Sequence, residues 1–138
     1  MVFTNAEIRF LARQERGHLS TIGPDGSPQV KPLGFTWNDA LETIDITGFG
    51  MAGSAKYRNV QATPRVAFVV DEVTAPTAQG AHFLEIRGIA ETATHVPADP
   101  HFDPELIRIR PVRVIAYNVD PEQPGLHARN VTGQPAGT

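Results

Sequence analysis

The sequence predicts a mainly β protein: a small antiparallel barrel of six strands with only brief helices. Three features carry this. Six short segments are either alternating in hydrophobicity or continuously apolar. Turn residues punctuate the chain between them, and the helical patterns are short.

Thr4 reads as an N-cap with Glu7 three residues on as its capping-box partner, and Ile8, Leu11 and Ala12 then share one helical face. This predicts a helix over Asn5–Gln14, ended by Gly17. His18–Ile22 is the first strand. Pro24-Asp25-Gly26-Ser27 is a turn, because proline presets φ and glycine accepts a positive one, so Pro28–Trp37 returns as a hairpin partner. Pro32 lies within that strand, where it cannot donate to a ladder. It marks an edge, a bulge, or a place where a ligand replaces a neighbouring strand. After the turn Asn38-Asp39-Ala40, Leu41–Gly48 alternates as a half-buried strand, and a helix is expected near Gly53–Ala62. The apolar run inside Arg65–Val73 reads as a buried central strand. Ala75–Ala81 is a loop, His82–Thr94 alternates again, and Gly88 within it signals a bulge or a close backbone approach. His95–Asp103 is irregular, Pro104–Ile107 reads as a helical turn, and Ile109–Val119 is the last strand. The expected barrel interior is Leu19, Val30, Ile44, Ile46, Val66, Phe68, Val70, Ile86 and Val114. Residues 1–120 are expected to form one domain, followed by a Pro/Gly-rich tail over 121–138 that stays poorly ordered unless a partner pins it.

Composition narrows the function. A chain of 138 residues with 41% hydrophobic residues suits one domain with a real core. Twelve Lys+Arg against fifteen Asp+Glu give a net charge of −3, which lacks the basic footprint of a nucleic-acid binder. No apolar run reaches bilayer-spanning length, and the N-terminus is not signal-like, so a cytoplasmic protein without membrane attachment is expected. The absence of cysteine removes disulfides, thiolate metal sites and a cysteine nucleophile. The five histidines are scattered without metal-binding spacing, and no G-x-S-x-G elbow is present.

Chemistry concentrates between Gly48 and Val66, where a strand ends in small residues and Ser54, Lys56, Arg58 and Asn59 open a helix. Free backbone N–H groups, the positive helix end, a hydroxyl and two cations suit a phosphate. The same cations also read as the solvated face of a surface helix, and neither a P-loop nor a dinucleotide fingerprint accompanies them.

Three stretches, GHLSTIGPDGSPQVKPLGF, ITGFGMAGSAKYRNVQATPRVAFVV and LEIRGIAE, resemble the split-barrel superfamily of pyridoxamine 5′-phosphate oxidase. With the closing RIRPVRVIAYNVD and ARNV, they are similar to its actinobacterial branch of small reductases that use a deazaflavin, coenzyme F-420; the similarity covers roughly Phe3–Val131. The resemblance implies a six-stranded antiparallel split β-barrel and a homodimer with flavin-type sites at the subunit interface. It carries the phosphate-binding lysine onto Lys56, its hydroxyl partner onto Ser54, the strand beside the ring onto Lys31, Pro32, Leu33 and Gly34, and a strand-end contact onto Phe49 and Gly50. Asn59, one turn beyond Lys56, and the cations Arg58 and Lys31, for a longer acidic tail, complete the expected site. Flavin mononucleotide (FMN) oxidases of the superfamily often have arginine where this chain has Ala55 and glutamine where it has Phe83. The substrate-binding Arg/His signature is also not evident. These departures weaken FMN oxidase chemistry.

The implied activity is hydride transfer from a reduced deazaflavin to an electron-poor double bond of a small conjugated molecule. An FMN-dependent oxidoreductase and a non-catalytic deazaflavin carrier are the alternatives. Trp37, Tyr57 and Phe49 are candidate stacking surfaces, with core or dimer packing the favoured reading for each. Tyr57, Tyr117 and His82 are the available proton donors, with water as another source, so no catalytic acid is assigned.

Overall fold

The computed structural model of the chain describes residues 1–131. Helix α1 (Asn5–Ala12) starts where its capping box requires. Thr4 Oγ1 accepts the Glu7 N–H at 3.1 Å, and Glu7 Oε1 accepts the Thr4 N–H at 2.9 Å. Its buried face is Ala6, Glu7, Phe10 and Leu11, while Ala12 is exposed. Strand β1 (Arg16–Ile22) and strand β2 (Pro28–Gly34) form the expected hairpin, with Ile22 opposite Pro28 and Arg16 opposite Gly34. Gly26 at φ +84° allows the turn to close.

The expected second strand is two strands. After β2 the chain bends at Phe35 and continues as β3 (Thr36–Asn38), which pairs with β4 (Thr43–Ile46). Helix α2 (Ala55–Ala62), β5 (Arg65–Val73), a 3-10 turn (Ala78–Gly80), β6 (Ala81–Thr94), β7 (Glu105–Tyr117) and β8 (Leu126–Asn130) follow. The sheet runs β2-β1-β5-β6-β7-β4-β3, with β8 also on β7, and every ladder is antiparallel. Its terminal strands, β2 and β3, are separated in the chain by Phe35 alone. One residue cannot span an open sheet, so the sheet must curl until the end of β2 lies beside the start of β3, without a ladder between them. Phe35 marks that seam, packed edge-on against Phe68 at 5.1 Å.

Leu19, Ile44, Ile46, Phe68, Leu84 and Ile86 fill the interior at 1% exposure or less, and α1 contributes Phe10 and Leu11. Of the expected interior residues only Val30 is misplaced: it pairs with Ser20 on the outer face and is 61% exposed. The register puts β2's even-numbered residues outside.

Two segments depart from expectation for the same reason, an unpaired strand edge. Pro104–Ile107 is not a helical turn, because Glu105–Ile107 pair with Thr92–Thr94 at the end of the long β6. In the tail, β8 pairs with Arg113–Tyr117, the part of β7 that β4 leaves free. Arg129 fastens it to Glu7 through Nη2–Oε1 at 2.6 Å and Nη1–Oε2 at 2.8 Å. Residues 132–138 of the expected tail lie outside the described residues. Gly88 both marks a bulge and permits close approach: the β6–β7 register shifts there, and a Cβ on Gly88 would meet Arg110 O at 2.5 Å. Among the described residues no helix is long and apolar enough to cross a membrane.

Candidate functional site

The segment from Thr47 to Ser54 joins β4 to α2. Gly50 takes φ +60° to make the bend, and Met51, 1% exposed, plugs the loop into the core. Ser54 is the N-cap. Its N–H and hydroxyl both donate to Met51 O, at 3.0 and 2.7 Å, and its Oγ accepts the Tyr57 N–H at 3.3 Å. The hydroxyl therefore organises the helix start. The N–H groups of Ala55 and Lys56 have no protein partner among the described residues and point from the positive end of the helix. Lys56 enters no ion pair there, and neither does Lys31. Arg58 is exposed, with Nη1 donating to Gly53 O at 2.7 Å.

Asn59 faces inward. At 5% exposure, its Nδ2 donates to Thr21 Oγ1 at 3.0 Å and Gln29 Oε1 at 2.9 Å. Both amide hydrogens are thus used to dock α2 onto the β1–β2 hairpin. Gln29, Lys31 and Leu33 alternate onto one face of β2, so this docking brings α2 alongside the strand that carries Lys31, Pro32, Leu33 and Gly34. Of these, Leu33 is buried and the other three are exposed, on a strand that terminates the sheet. Phe49 and Gly50 are also exposed, and Phe49 rests edge-on against Phe102 at 4.8 Å.

Apart from the positive-φ glycines, two sets contrast. At Gly17, Gly80 and Gly88 a Cβ would collide with neighbouring atoms at 2.3–2.5 Å, so packing requires glycine. Among the described residues nothing lies within 4 Å of a built Cβ at Gly48; at Gly53 the nearest such atom is 3.9 Å away, and at Gly34 3.8 Å. None of these three has a positive φ. Neither backbone nor packing calls for glycine at these places, all of which border the β2, β4-loop and α2 surface. Space kept clear of side chains beside free N–H groups and unpaired cations fits a phosphate-bearing ligand pressed against backbone.

Other sequence candidates are occupied. Trp37 packs edge-on against Phe3 at 5.0 Å, and Tyr57 packs against the core, which leaves Phe49 as the exposed aromatic of the three. His82 places Nδ1 at 2.7 Å from Asn118 O and Nε2 at 2.9 Å from Thr74 Oγ1, and Tyr117 donates to Ala78 O at 3.2 Å. Among the described residues no group of three or more His, Asp or Glu could hold a metal.

Two further features were not foreseen. The outer face of β2–β1–β5–β6 holds a shallow, mostly apolar cavity of ≈ 550 Å³ walled by His18, Ser20, Val30, Val69, Phe83 and Glu85. On the outside of β3–β4–β7, Asp45 is 7% exposed and accepts from Arg108 Nε and Nη2 at 3.1 and 3.0 Å, Asn38 Nδ2 at 3.0 Å and Thr43 Oγ1 at 2.9 Å. Burial pushes this carboxyl up, but the hydrogen bonds from Arg108, Asn38 and Thr43 outweigh it and hold it below the usual carboxylate range. The signal for the cluster was an aspartate alone between two isoleucines of a buried strand.

A split, curled antiparallel sheet with a helix N-terminus and an exposed edge strand facing one clear surface defines the class, and residues 4–131 match the family model of pyridoxamine 5′-phosphate oxidase. The chain belongs to that family. A relative from Streptomyces rimosus subsp. rimosus, named 5a,11a-dehydrotetracycline/5a,11a-dehydrooxytetracycline reductase, is 36% identical over 99% of both chains. A solved structure described as an F420 reductase is 32% identical, with a TM-score of 0.57 over 75% of this chain and 90% of its own. The conserved hypothetical protein Rv2991 from Mycobacterium tuberculosis shares the fold, with a TM-score of 0.70 and 22% identity over 97% of this chain and 95% of its own.

Proposed function

We propose that this protein is a reductase that uses a deazaflavin coenzyme of the F-420 kind to deliver a hydride to an electron-poor double bond of a small, conjugated, polycyclic molecule. The observation that carries the reading is the end-to-end 36% identity to an enzyme named as a reductase of a dehydrotetracycline. The F420 reductase at 32% identity supports the coenzyme, and so do Ala55 and Phe83, which stand where FMN oxidases of the superfamily carry arginine and glutamine.

When bound, the coenzyme supplies the hydride; the chain binds and orients. The N–H groups of Ala55 and Lys56 and the Lys56 ammonium receive the phosphate at the helix end that Ser54 organises. Arg58, steadied by Gly53 O, and Lys31 reach the acidic tail beyond it. Backbone from Lys31 to Gly34 lines the ring, and the exposed Phe49 and Gly50 form its other border. Asn59 acts at one remove, by fixing α2 against β2.

The protein works as a homodimer in this reading. Val30, Val69 and Phe83 give the outer face an apolar surface suited to a second copy of the chain, which would complete both sites. The test is anaerobic mixing of the protein with chemically reduced coenzyme F-420 and a panel of conjugated enones that includes dehydrotetracyclines. The expected result is enzyme-dependent return of the oxidised deazaflavin absorbance. Turnover with bound FMN and none with coenzyme F-420 would overturn the coenzyme assignment. Tight coenzyme binding without oxidation across the panel would leave a carrier.

A further inference from the structure

We infer that the β6–β7 connection, residues 95–104, is the element that positions the coenzyme-binding loop, with Asp103 as its positioning residue. This rests on the reading above that the loop from Gly48 to Lys56 receives the coenzyme.

Three ties cross between the two loops, and they fall within four residues. Asp103 Oδ2 accepts the Met51 N–H at 2.8 Å, the Asp103 N–H donates to Gly48 O at 3.0 Å, and Phe102 meets Phe49 edge-on at 4.8 Å and 82°. Asp103 thus grips the loop at both ends of its bend, once through backbone and once through side chain. The gripped segment needs holding. It contains Gly48, Gly50 and Gly53, and glycine loses more conformational freedom on ordering than any other residue. Its own anchor is Met51, whose side chain is buried. Without Asp103 the Met51 N–H loses its acceptor.

The gripping segment is itself braced. His95 N–H donates to Pro104 O at 2.8 Å across its base, Phe102 N–H to Asp99 O at 3.0 Å, and His101 N–H to Asp99 Oδ1 at 2.9 Å. A braced loop holding a glycine-rich one is a preorganising device. The ordering that a coenzyme would otherwise have to impose is made before it arrives. Because Met51 O in turn takes the Ser54 N–H and hydroxyl, Asp103 is one residue removed from the helix start that faces the phosphate.

The experiment is equilibrium titration of coenzyme F-420 by fluorescence, in parallel with FMN, on the wild-type protein, Asp103→Ala, Asp103→Asn and Phe102→Leu, each with its thermal unfolding midpoint. Asp103→Ala is expected to raise the dissociation constant about tenfold, because the ligand must then order the loop. Turnover at saturating coenzyme should stay within about twofold of wild type, since the bound loop is the same. Asp103→Asn, which keeps a carbonyl oxygen for the Met51 N–H, should recover most of the affinity. A purely structural role would instead lower the unfolding midpoint in step with affinity, and the asparagine would not separate the two. If Asp103→Ala does not fold, Phe102→Leu carries the test, with a smaller loss of affinity at an unchanged midpoint. Folded variants that all bind as the wild type does would overturn the positioning role alone. A wild-type protein that binds neither coenzyme would overturn the functional reading and this inference with it.

Discussion

Replacing Gly53 by alanine separates a glycine kept for a ligand from one kept for the fold. Gly53 has no positive φ, and its built Cβ comes no closer than 3.9 Å to another atom, Gly50 O. The added methyl therefore fits the free protein. Loss of unfolded-state freedom should raise stability by about 0.4–1 kcal/mol. In the proposed site the same methyl, two residues before Ala55, would take up space that the phosphate needs at the α2 N-terminus. A phosphate pushed outward by it loses one of its hydrogen bonds from the Ala55 and Lys56 N–H groups. A charge-assisted hydrogen bond contributes about 1.5–3 kcal/mol, so the dissociation constant should rise by roughly 10–150-fold at about 1.4 kcal/mol per decade. Urea unfolding and fluorescence titration of coenzyme F-420 on one preparation give both numbers. A Gly53→Ala protein that is less stable by more than about 1 kcal/mol, or that binds the coenzyme as tightly as wild type, refutes the reasoning.

Gly88→Ala should behave in the opposite way: its Cβ would lie 2.5 Å from Arg110 O and 2.9 Å from Ile109 Cγ2. The expected loss is about 1–3 kcal/mol in urea unfolding, with unchanged coenzyme affinity per folded molecule. Acid should weaken the fold through Asp45. Its folded pKa is depressed, so its stabilisation is fully present above the unfolded value of about 3.9 and is lost as pH falls below that towards the folded value. Urea midpoints across the acid range should fall less steeply in Asp45→Asn than in wild type. Val30→Glu places a charge on an outer-face residue that is 61% exposed, and sedimentation should show the proposed dimer weakened with the fold intact; a wild-type monomer, or a dimer that the substitution leaves unchanged, would contradict the proposed interface.

The sequence was legible wherever structure is local. The capping box at Thr4 and Glu7, the turn around Gly26, the run Val66–Val70 and the bulge at Gly88 each rest on chemistry within a few residues or on an unambiguous period. It was less legible where distant partners decide. Glu105–Ile107 is extended because β6 is long enough to need a partner there, and β8 exists because β7 has a free edge and Glu7 waits for Arg129. No local signal carries either fact. Val30 was assigned to the interior by its hydrophobicity, and only the register with Ser20 puts it outside. The candidate site divides in the same way. The hydroxyl, the cations and the small residues before α2 were visible as a cluster. The inward turn of Asn59 towards Gln29, and the grip of Asp103 on Met51, join residues 30 and 52 positions apart.

Titration of coenzyme F-420 into wild-type protein and Lys56→Ala tests most directly whether the α2 N-terminus holds the coenzyme's phosphate. Saturable binding by the wild type, weakened by about 1–3 kcal/mol in Lys56→Ala with an unchanged unfolding midpoint, is the predicted result. Equal affinity in the two proteins, or no binding by either, would contradict it.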